Sequence, residues 1–252
     1  MKKSSVILVF LIGVLTFRVA SMGATGGDFE LVVGTKFATE RVAHGCKICG
    51  RVIVPSVTVG YKASDELKVF LSTDVIAALE QKYGRVSPCI GFTYEATDML
   101  TLEAGYTRYF YLSGDKQKHS NEIYGGVTAN VLLSPAVYSF YDFNNEDFSI
   151  ETKVSHKFDL GDIVAPGVGV RIGAKVGYER ARKCSGECIA DHEKRDFFYY
   201  GATADIVYDI NSNATARVGV AYEGNSANKN SWVNSGTTKN FTWMNASIDC
   251  SF

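Results

Sequence analysis

From residue 28 to the carboxyl terminus the chain repeatedly alternates apolar and polar side chains. In Val168 to Glu179, one parity carries Val168, Val170, Ile172, Ala174, Val176 and Tyr178, and the other carries Gly169, Arg171, Gly173, Lys175, Gly177 and Glu179. A period of two puts unlike residues on opposite faces of a strand, and no amphipathic helix has this order. The last segment behaves alike, with Met244, Ala246, Ile248, Cys250 and Phe252 against Asn245, Ser247, Asp249 and Ser251. The alternation predicts strands at 28–42, 51–63, 66–79, 85–96, 99–112, 119–134, 136–143, 147–160, 167–182, 195–209, 213–224 and 238–252, an even set of twelve. Ile123 to Tyr141 lacks Asp, Glu, Lys and Arg, but Gly125, Gly126, Asn130, Ser134 and Pro135 interrupt it, which excludes a membrane helix there.

The connections alternate too. Ala63 to Asp65, Thr97 and Asp98, Ser134 and Pro135, Gly161 to Pro166, and Ile210 to Asn213 are short, whereas Ala43 to Gly50, Ser113 to Lys118, Lys183 to Lys194 and Asn225 to Thr237 are mostly longer and more polar. Short turns on one rim and long loops on the other predict an antiparallel transmembrane β-barrel with both termini on the short-turn side. Aromatic residues gather at both strand ends. Tyr106, Tyr109, Phe110, Tyr111, Tyr138, Phe140, Tyr141, Phe197, Phe198, Tyr199, Tyr200, Phe241 and Trp243 lie toward the long loops, and Phe29, Tyr61, Tyr94, Phe158, Tyr208 and Phe252 toward the turns. Rings at two levels one strand apart are expected at two membrane interfaces. A secreted β-sandwich would also alternate, but its turns would recur every 8–12 residues or so, and here the spacing is about 19.

Composition agrees. The 252 residues carry 26 basic and 27 acidic side chains, net −1, which leaves no basic face for nucleic acid. Hydrophobic content is 46%, with 14 Tyr, 15 Phe, 2 Trp, 24 Gly and only 4 Pro, which argues against disorder and for β architecture. Lys2 and Lys3, the apolar stretch Val6 to Phe17, and the small residues Ala20, Ser21, Gly23 and Ala24 read as a cleaved signal peptide over 1–24, leaving 25–252 as the barrel domain. The triplets at Asn213, Asn240 and Asn245 match a glycosylation sequon, but two of them fall inside the last strand.

The terminal Phe252 closing an alternating strand resembles the carboxyl-terminal signature of bacterial outer-membrane barrel proteins. The segments Pro55 to Tyr61, Ser134 to Phe143 and Val154 to Phe158 are similar to those of porins of the TorF type, over nearly the whole mature chain. That resemblance implies the outer membrane of a diderm bacterium, periplasmic termini, insertion machinery that reads Phe252, and no catalytic motif.

With the apolar parity toward outer-membrane lipid, the other parity lines the lumen: Glu30, Lys36, Glu40, Lys62, Lys68, Asp74, Glu103, Glu151, Lys153, Arg171, Lys175, Glu179, Asp205, Arg217 and Asp249, eight acids and seven bases. A nearly neutral interior suits a weakly selective, porin-like path for passive diffusion of small polar solutes, without a cofactor. The alternative is a non-conducting structural or surface-binding barrel whose long loops contact a partner. His44, His119, His156 and His192 are not framed by a nucleophile motif, so no catalytic residue is assigned. Cys46 and Cys49 with Cys184 and Cys188, flanked by His44 and His192, suit loop disulfides, free thiols or four soft zinc ligands, and an oxidising compartment favours the disulfides over a metal. Cys89 and Cys250 take opposite parities and are not expected to pair. No oligomer interface stands out, and a monomer is expected.

Overall fold

The computed structural model describes residues 28–112, 119–182, 195–226 and 240–252. The predicted signal peptide, Cys184, Cys188 and His192 lie outside these residues. The described chain is all-β. Twelve strands form one closed antiparallel barrel: β1 Phe29–Ala38, β4 Val52–Lys62, β5 Leu67–Ala78, β6 Gly84–Thr97, β7 Leu100–Tyr111, β8 His119–Ala129, β9 Ala136–Asp142, β10 Asp147–Asp159, β11 Val168–Ala181, β12 Arg195–Asn211, β13 Ala214–Asn225 and β14 Asn240–Ser251. Each strand pairs with its sequence neighbours, and β1 closes the ring on β14 from Val32↔Ser251 to Ala38↔Asn245. The terminal residue seals the seam: the Phe252 N–H donates to the Leu31 carbonyl at 2.8 Å, and the Leu31 N–H donates back at 3.0 Å. Full closure leaves no unpaired edge, the condition for strands to cross hydrocarbon.

The outside of the wall is apolar. Leu71 (59% exposed), Ile206 (60%) and Met244 (57%) would be costly to leave in water in such numbers, and their neighbours Ile90, Leu102, Ile150, Ile172, Val176 and Val218 are exposed as well. Phe29, Tyr61, Tyr94, Phe158, Tyr208 and Phe252 are all exposed near the short-turn rim. Toward the other rim Tyr106, Phe110, Tyr141, Phe198 and Tyr200 are exposed, but Phe197, Tyr199 and Trp243 are buried. The upper aromatic group is therefore two populations, which parity divides between lipid and interior.

The concave face is recognisable because polar contacts skip a strand there. Lys157 Nζ on β10 reaches Asp209 on β12 at 2.6 Å, Lys175 Nζ on β11 reaches Glu223 on β13 at 2.8 Å, and Tyr138 Oη on β9 reaches Glu103 on β7 at 3.1 Å. Such chords are short only inside a curved wall. Glycine makes room for them: a Cβ on Gly177 would lie 2.2 Å from the Tyr199 ring, one on Gly126 2.4 Å from the Tyr138 ring, and one on Gly105 2.6 Å from the Tyr124 ring. Large side chains thus lie flat over the small residues of the preceding strand.

Two strand ends differ from the alternation. β1 ends at Ala38 rather than 42, and β8 ends at Ala129 rather than 134, because 130–135 form a turn in which Leu133 and Ser134 take positive φ. Arg41 and Val42, expected in the first strand, and Ala43 to Gly50, expected as a long loop, form instead the hairpin β2 Arg41–Ala43 and β3 Cys46–Cys49.

The facing of β11 predicts a clear outcome. Ile172→Arg places a guanidinium against hydrocarbon and should cost about 2–4 kcal/mol near the midplane, less toward the interfaces. Urea titration of protein folded in liposomes measures it, and an unchanged midpoint would contradict the outward assignment.

Candidate functional site

The hairpin turns inward and docks in the barrel mouth. Ala43 pairs with Cys46 across His44 and Gly45, whose φ values are 49° and 70°. Two consecutive positive φ values make a type I′ turn, whose twist matches the strands it joins. Gly45 suits that turn, whereas His44 carries a Cβ into the left-handed region. Tertiary contacts hold it. His44 Nδ1 lies 2.5 Å from Glu179 Oε2, and its ring stacks on Tyr199 with centroids 4.8 Å apart and planes at 20°. The Gly45 N–H donates to Glu223 Oε2 at 3.1 Å, and Asn225 Nδ2 donates to the Gly45 carbonyl at 2.6 Å. The tip is therefore anchored on β11, β12 and β13.

The body of the hairpin builds a small apolar core inside the mouth. Val42 and Cys49 pack with Ala38, Val52, Ile76, Ala221 and Trp243, all buried, and Ile48, Val54, Ala78, Tyr83 and Phe241 pack around them. Cys46 instead sits with Phe197 and Tyr199. The mouth is thus partly filled by apolar side chains on the β12 to β5 side, while among the described residues the β7 to β10 wall adds none to these two clusters.

Below the tip lies a charged girdle. Lys175 Nζ is 2.8 Å from Glu223 and 3.6 Å from Glu151, while Glu179 faces His44. On the facing wall Tyr109 Oη donates to Glu122 at 2.7 Å, and the Arg85 guanidinium lies 4.5 Å from the centroid of the Tyr109 ring. At the rim Asp142 Oδ1 accepts the N–H groups of Asn144 and Asn145 at 2.9 Å each, and Ser120 donates to its other oxygen, which fixes the tight β9–β10 turn.

Burial opposes a charge on His44, but the Glu179 carboxylate, as partner and hydrogen-bond acceptor, outweighs it and holds the imidazole above the ordinary histidine pKa. The Cys46 thiol is pushed well above its ordinary pKa by burial first, then by Glu179 and Glu223. It is consequently a poor nucleophile while the hairpin is docked.

The residues singled out from sequence distribute as follows. Glu30 pairs with Lys68, Arg217 with Asp249, and Lys175 with Glu151. Glu103 accepts both Tyr124 and Tyr138, Lys153 lies 4.2 Å from the Tyr138 ring centroid, and Asp205 lies over Gly219. Arg171 stands in register between Lys157 and Asp205, Asp74 between Ser56 and Ser87, and Lys36 between Val54 and Ser247. Glu40 belongs to the hairpin base instead of a barrel strand, 2.5 Å from Lys47, and Lys62 pairs with Asp65 at the exposed short-turn rim at 2.8 Å.

Cys46 carries a free thiol, as do Cys89 and Cys250. The expected disulfide therefore does not join Cys46 to Cys49: three steps along a strand separate Cα atoms by about 10 Å, beyond the roughly 7 Å limit of a bridge. Among the described residues no group of three His, Cys, Asp or Glu is placed to hold a metal.

Arg85, Glu122, Lys157, Asp209 and Glu223 were not singled out from sequence. Glu223 shares the parity of Arg217, and Glu122 that of Tyr124, so carrying the alternation to the strand ends would have included both. The inward hairpin also had a local signal, a residue followed by Gly between the alternating segments Arg41 to Ala43 and Cys46 to Cys49.

No family model matches the chain, and no curated protein matches it significantly. Solved structures do. The NanC porin superposes with a TM-score of 0.52 at 10% identity, over 87% of this chain and 98% of its own. LpxR from Salmonella typhimurium gives 0.52 at 10%, over 88% and 99%. An outer-membrane channel from Pseudomonas putida F1 gives 0.52 at 10%, over 90% and 96%. At such identity the likeness establishes an outer-membrane barrel fold that porins and a channel share, and function has to be argued from the site.

Proposed function

We propose that the protein is a porin-like channel of a diderm bacterial outer membrane, through which small polar solutes diffuse passively past an inward-folded hairpin. The observation that carries this reading is the closed barrel that is apolar outside and charged within, with Lys175, Glu151, Glu223 and Glu179 gathered beneath the hairpin tip. Charged side chains lining a passage bounded by low-dielectric walls set a modest filter of size and charge. The porin and channel folds named above agree with it, as does the TorF-type pattern of Pro55 to Tyr61 and Ser134 to Phe143. In this reading residues 1–24 are the export signal, the short-turn rim with both termini faces the periplasm, Phe252 is read by the insertion machinery, the barrel is a monomer, and no side chain is catalytic.

Pure protein folded into planar bilayers should give discrete steps smaller than those of sixteen-strand porins, because twelve strands enclose a narrower bore and the hairpin occupies part of it. The apolar packing of that hairpin favours a second reading, a closed barrel whose long loops meet a partner. Silence from the wild type and from a variant lacking residues 41–49 would establish the closed barrel and remove the channel.

A further inference from the structure

The lumen wall that the hairpin leaves uncovered carries an aromatic platform. Tyr124 on β8 and Tyr138 and Phe140 on β9 all take the interior parity, and each is half-buried. Phe140 lies between the two tyrosines, 6.0 Å from the Tyr124 centroid and 6.2 Å from that of Tyr138, with planes within 28° and 20° of its own. The tyrosines lie flat against the wall, because Gly105 and Gly126 offer no Cβ beneath them. The two tyrosines are thus flat on the wall, and Phe140 is nearly parallel to both.

Polar groups border the tiles. Glu103 accepts the Tyr124 hydroxyl at 3.0 Å and the Tyr138 hydroxyl at 3.1 Å, one on each carboxylate oxygen. An ionised carboxylate has about four lone-pair sites, so Glu103 keeps acceptor capacity toward the lumen. Lys153 stands over Tyr138, its ammonium 4.2 Å from the ring centroid. It is in register with Lys175, which takes Glu151 and Glu223 for itself. The platform thus offers an apolar surface, an acceptor and a donor side by side, with a neutral local balance.

Resting on the channel reading above, we propose that Tyr124, Phe140 and Tyr138 form a binding subsite for neutral saccharides within the lumen. A pyranose ring has an apolar face of C–H groups that stacks on an aromatic face, and equatorial hydroxyls that both donate and accept, which matches tiles edged by Glu103 and Lys153. Because Lys153 already covers Tyr138, the sugar face stacks on Tyr124 and Phe140 with the Lys153 ammonium as donor at its edge, and a cationic ligand is repelled by that ammonium. An acidic sugar meets Glu103, with Glu151 in register opposite Tyr138.

Equilibrium dialysis of detergent-folded protein against maltose, digalacturonate and free tryptophan tests the site without requiring conduction. Maltose should bind, with millimolar affinity, more tightly than either other probe. Phe140→Ala should weaken it by about tenfold, and Phe140→Trp, which keeps a ring face, should restore it. The lipid-facing Phe92→Ala should leave it unchanged. Stronger binding of digalacturonate or tryptophan, or no difference between Phe140→Ala and wild type, would overturn the proposal. In bilayers maltose should reduce the current through wild type and not through Phe140→Ala. Steps that maltose leaves untouched, with no binding in dialysis, refute the subsite alone, whereas maltose binding in a protein without steps refutes conduction alone.

Discussion

Gly45→Val should expel the hairpin from the barrel mouth. A Cβ at position 45 would lie 2.4 Å from the Gly224 carbonyl oxygen, which belongs to the backbone of β13 and cannot rotate away. The φ of +70° adds a second penalty, since the left-handed region costs a side-chain-bearing residue about 1–2 kcal/mol. A β-branched side chain meets both together, and the hydrogen bonds of the tip to Glu223 and Asn225 are lost with them. Cys46 reports the event. In a variant that keeps Cys46 as its sole cysteine, the docked thiol is buried and its pKa is raised, so maleimide should react slowly. Adding Gly45→Val should accelerate labelling by at least tenfold, since about 1.4 kcal/mol of undocking already changes an equilibrium that much. The same substitution should enlarge the conductance step. The barrel itself should keep its thermal stability, because the twelve-strand ring does not pass through β2 and β3. Labelling at the wild-type rate would show that the hairpin does not depend on this contact.

Raising the pH should loosen the same hairpin. The imidazole of His44 faces Glu179 and Lys175 on β11, Glu151 on β10, Tyr199 on β12, Glu223 on β13 and, farther across the lumen, Glu122 on β8, with Cys46 beside it on the hairpin. Its pKa is raised in the folded state, so the docking contribution of the protonated pair is fully present below the ordinary histidine value of about 6.5 and is lost as the pH climbs through the raised value. The undocking transition therefore lies above the ordinary histidine range. Trp243 is packed against Val42 and Cys49, which makes it the natural reporter. With Trp232 replaced by Phe, Trp243 emission should shift to the red across that transition, and the conductance should rise with it. His44→Ala should lie at the high-pH level throughout and lose the step. Glu179→Gln should move the transition downward, because the histidine then loses the charge that sustains its proton. A wild-type emission trace flat between pH 5 and pH 9 would remove His44 from the control of the hairpin.

The alternation of β11 and β14 was legible because both are full strands with one lipid face and one wet face, so each residue declares its side. The upper aromatics show where that reading stops. Tyr199 and Tyr200 are neighbours in sequence and both ring-bearing, yet one is buried beside His44 and the other lies outward at 42% exposure. Parity separates them, but a tally of aromatic residues near a strand end does not. Glu223 falls within the predicted strand 213–224 on the interior parity of Arg217, but a carboxylate near a strand end gives no sign in sequence of the hairpin it will meet.

The sequence by itself determined the barrel, its even strand number and its inside and outside, because those follow from a local period of two and from closure that pairs each strand with its neighbours. Gly45 suits the second position of the hairpin turn by its own nature, whereas His44 takes positive φ where Glu179 and Tyr199 hold it. Only the tertiary structure decided that this hairpin folds inward. That choice rests on Glu179, Tyr199, Glu223 and Asn225, all far from the hairpin along the chain, and on Trp243 close to the far end of the chain. These groups come together because β1 and β14 meet at the seam, which brings both ends of the sequence to one side of the mouth. The aromatic platform depends likewise on register: a slip of one residue between β8 and β9 would turn Tyr138 and Phe140 toward lipid and leave Glu103 with the Tyr124 phenol alone.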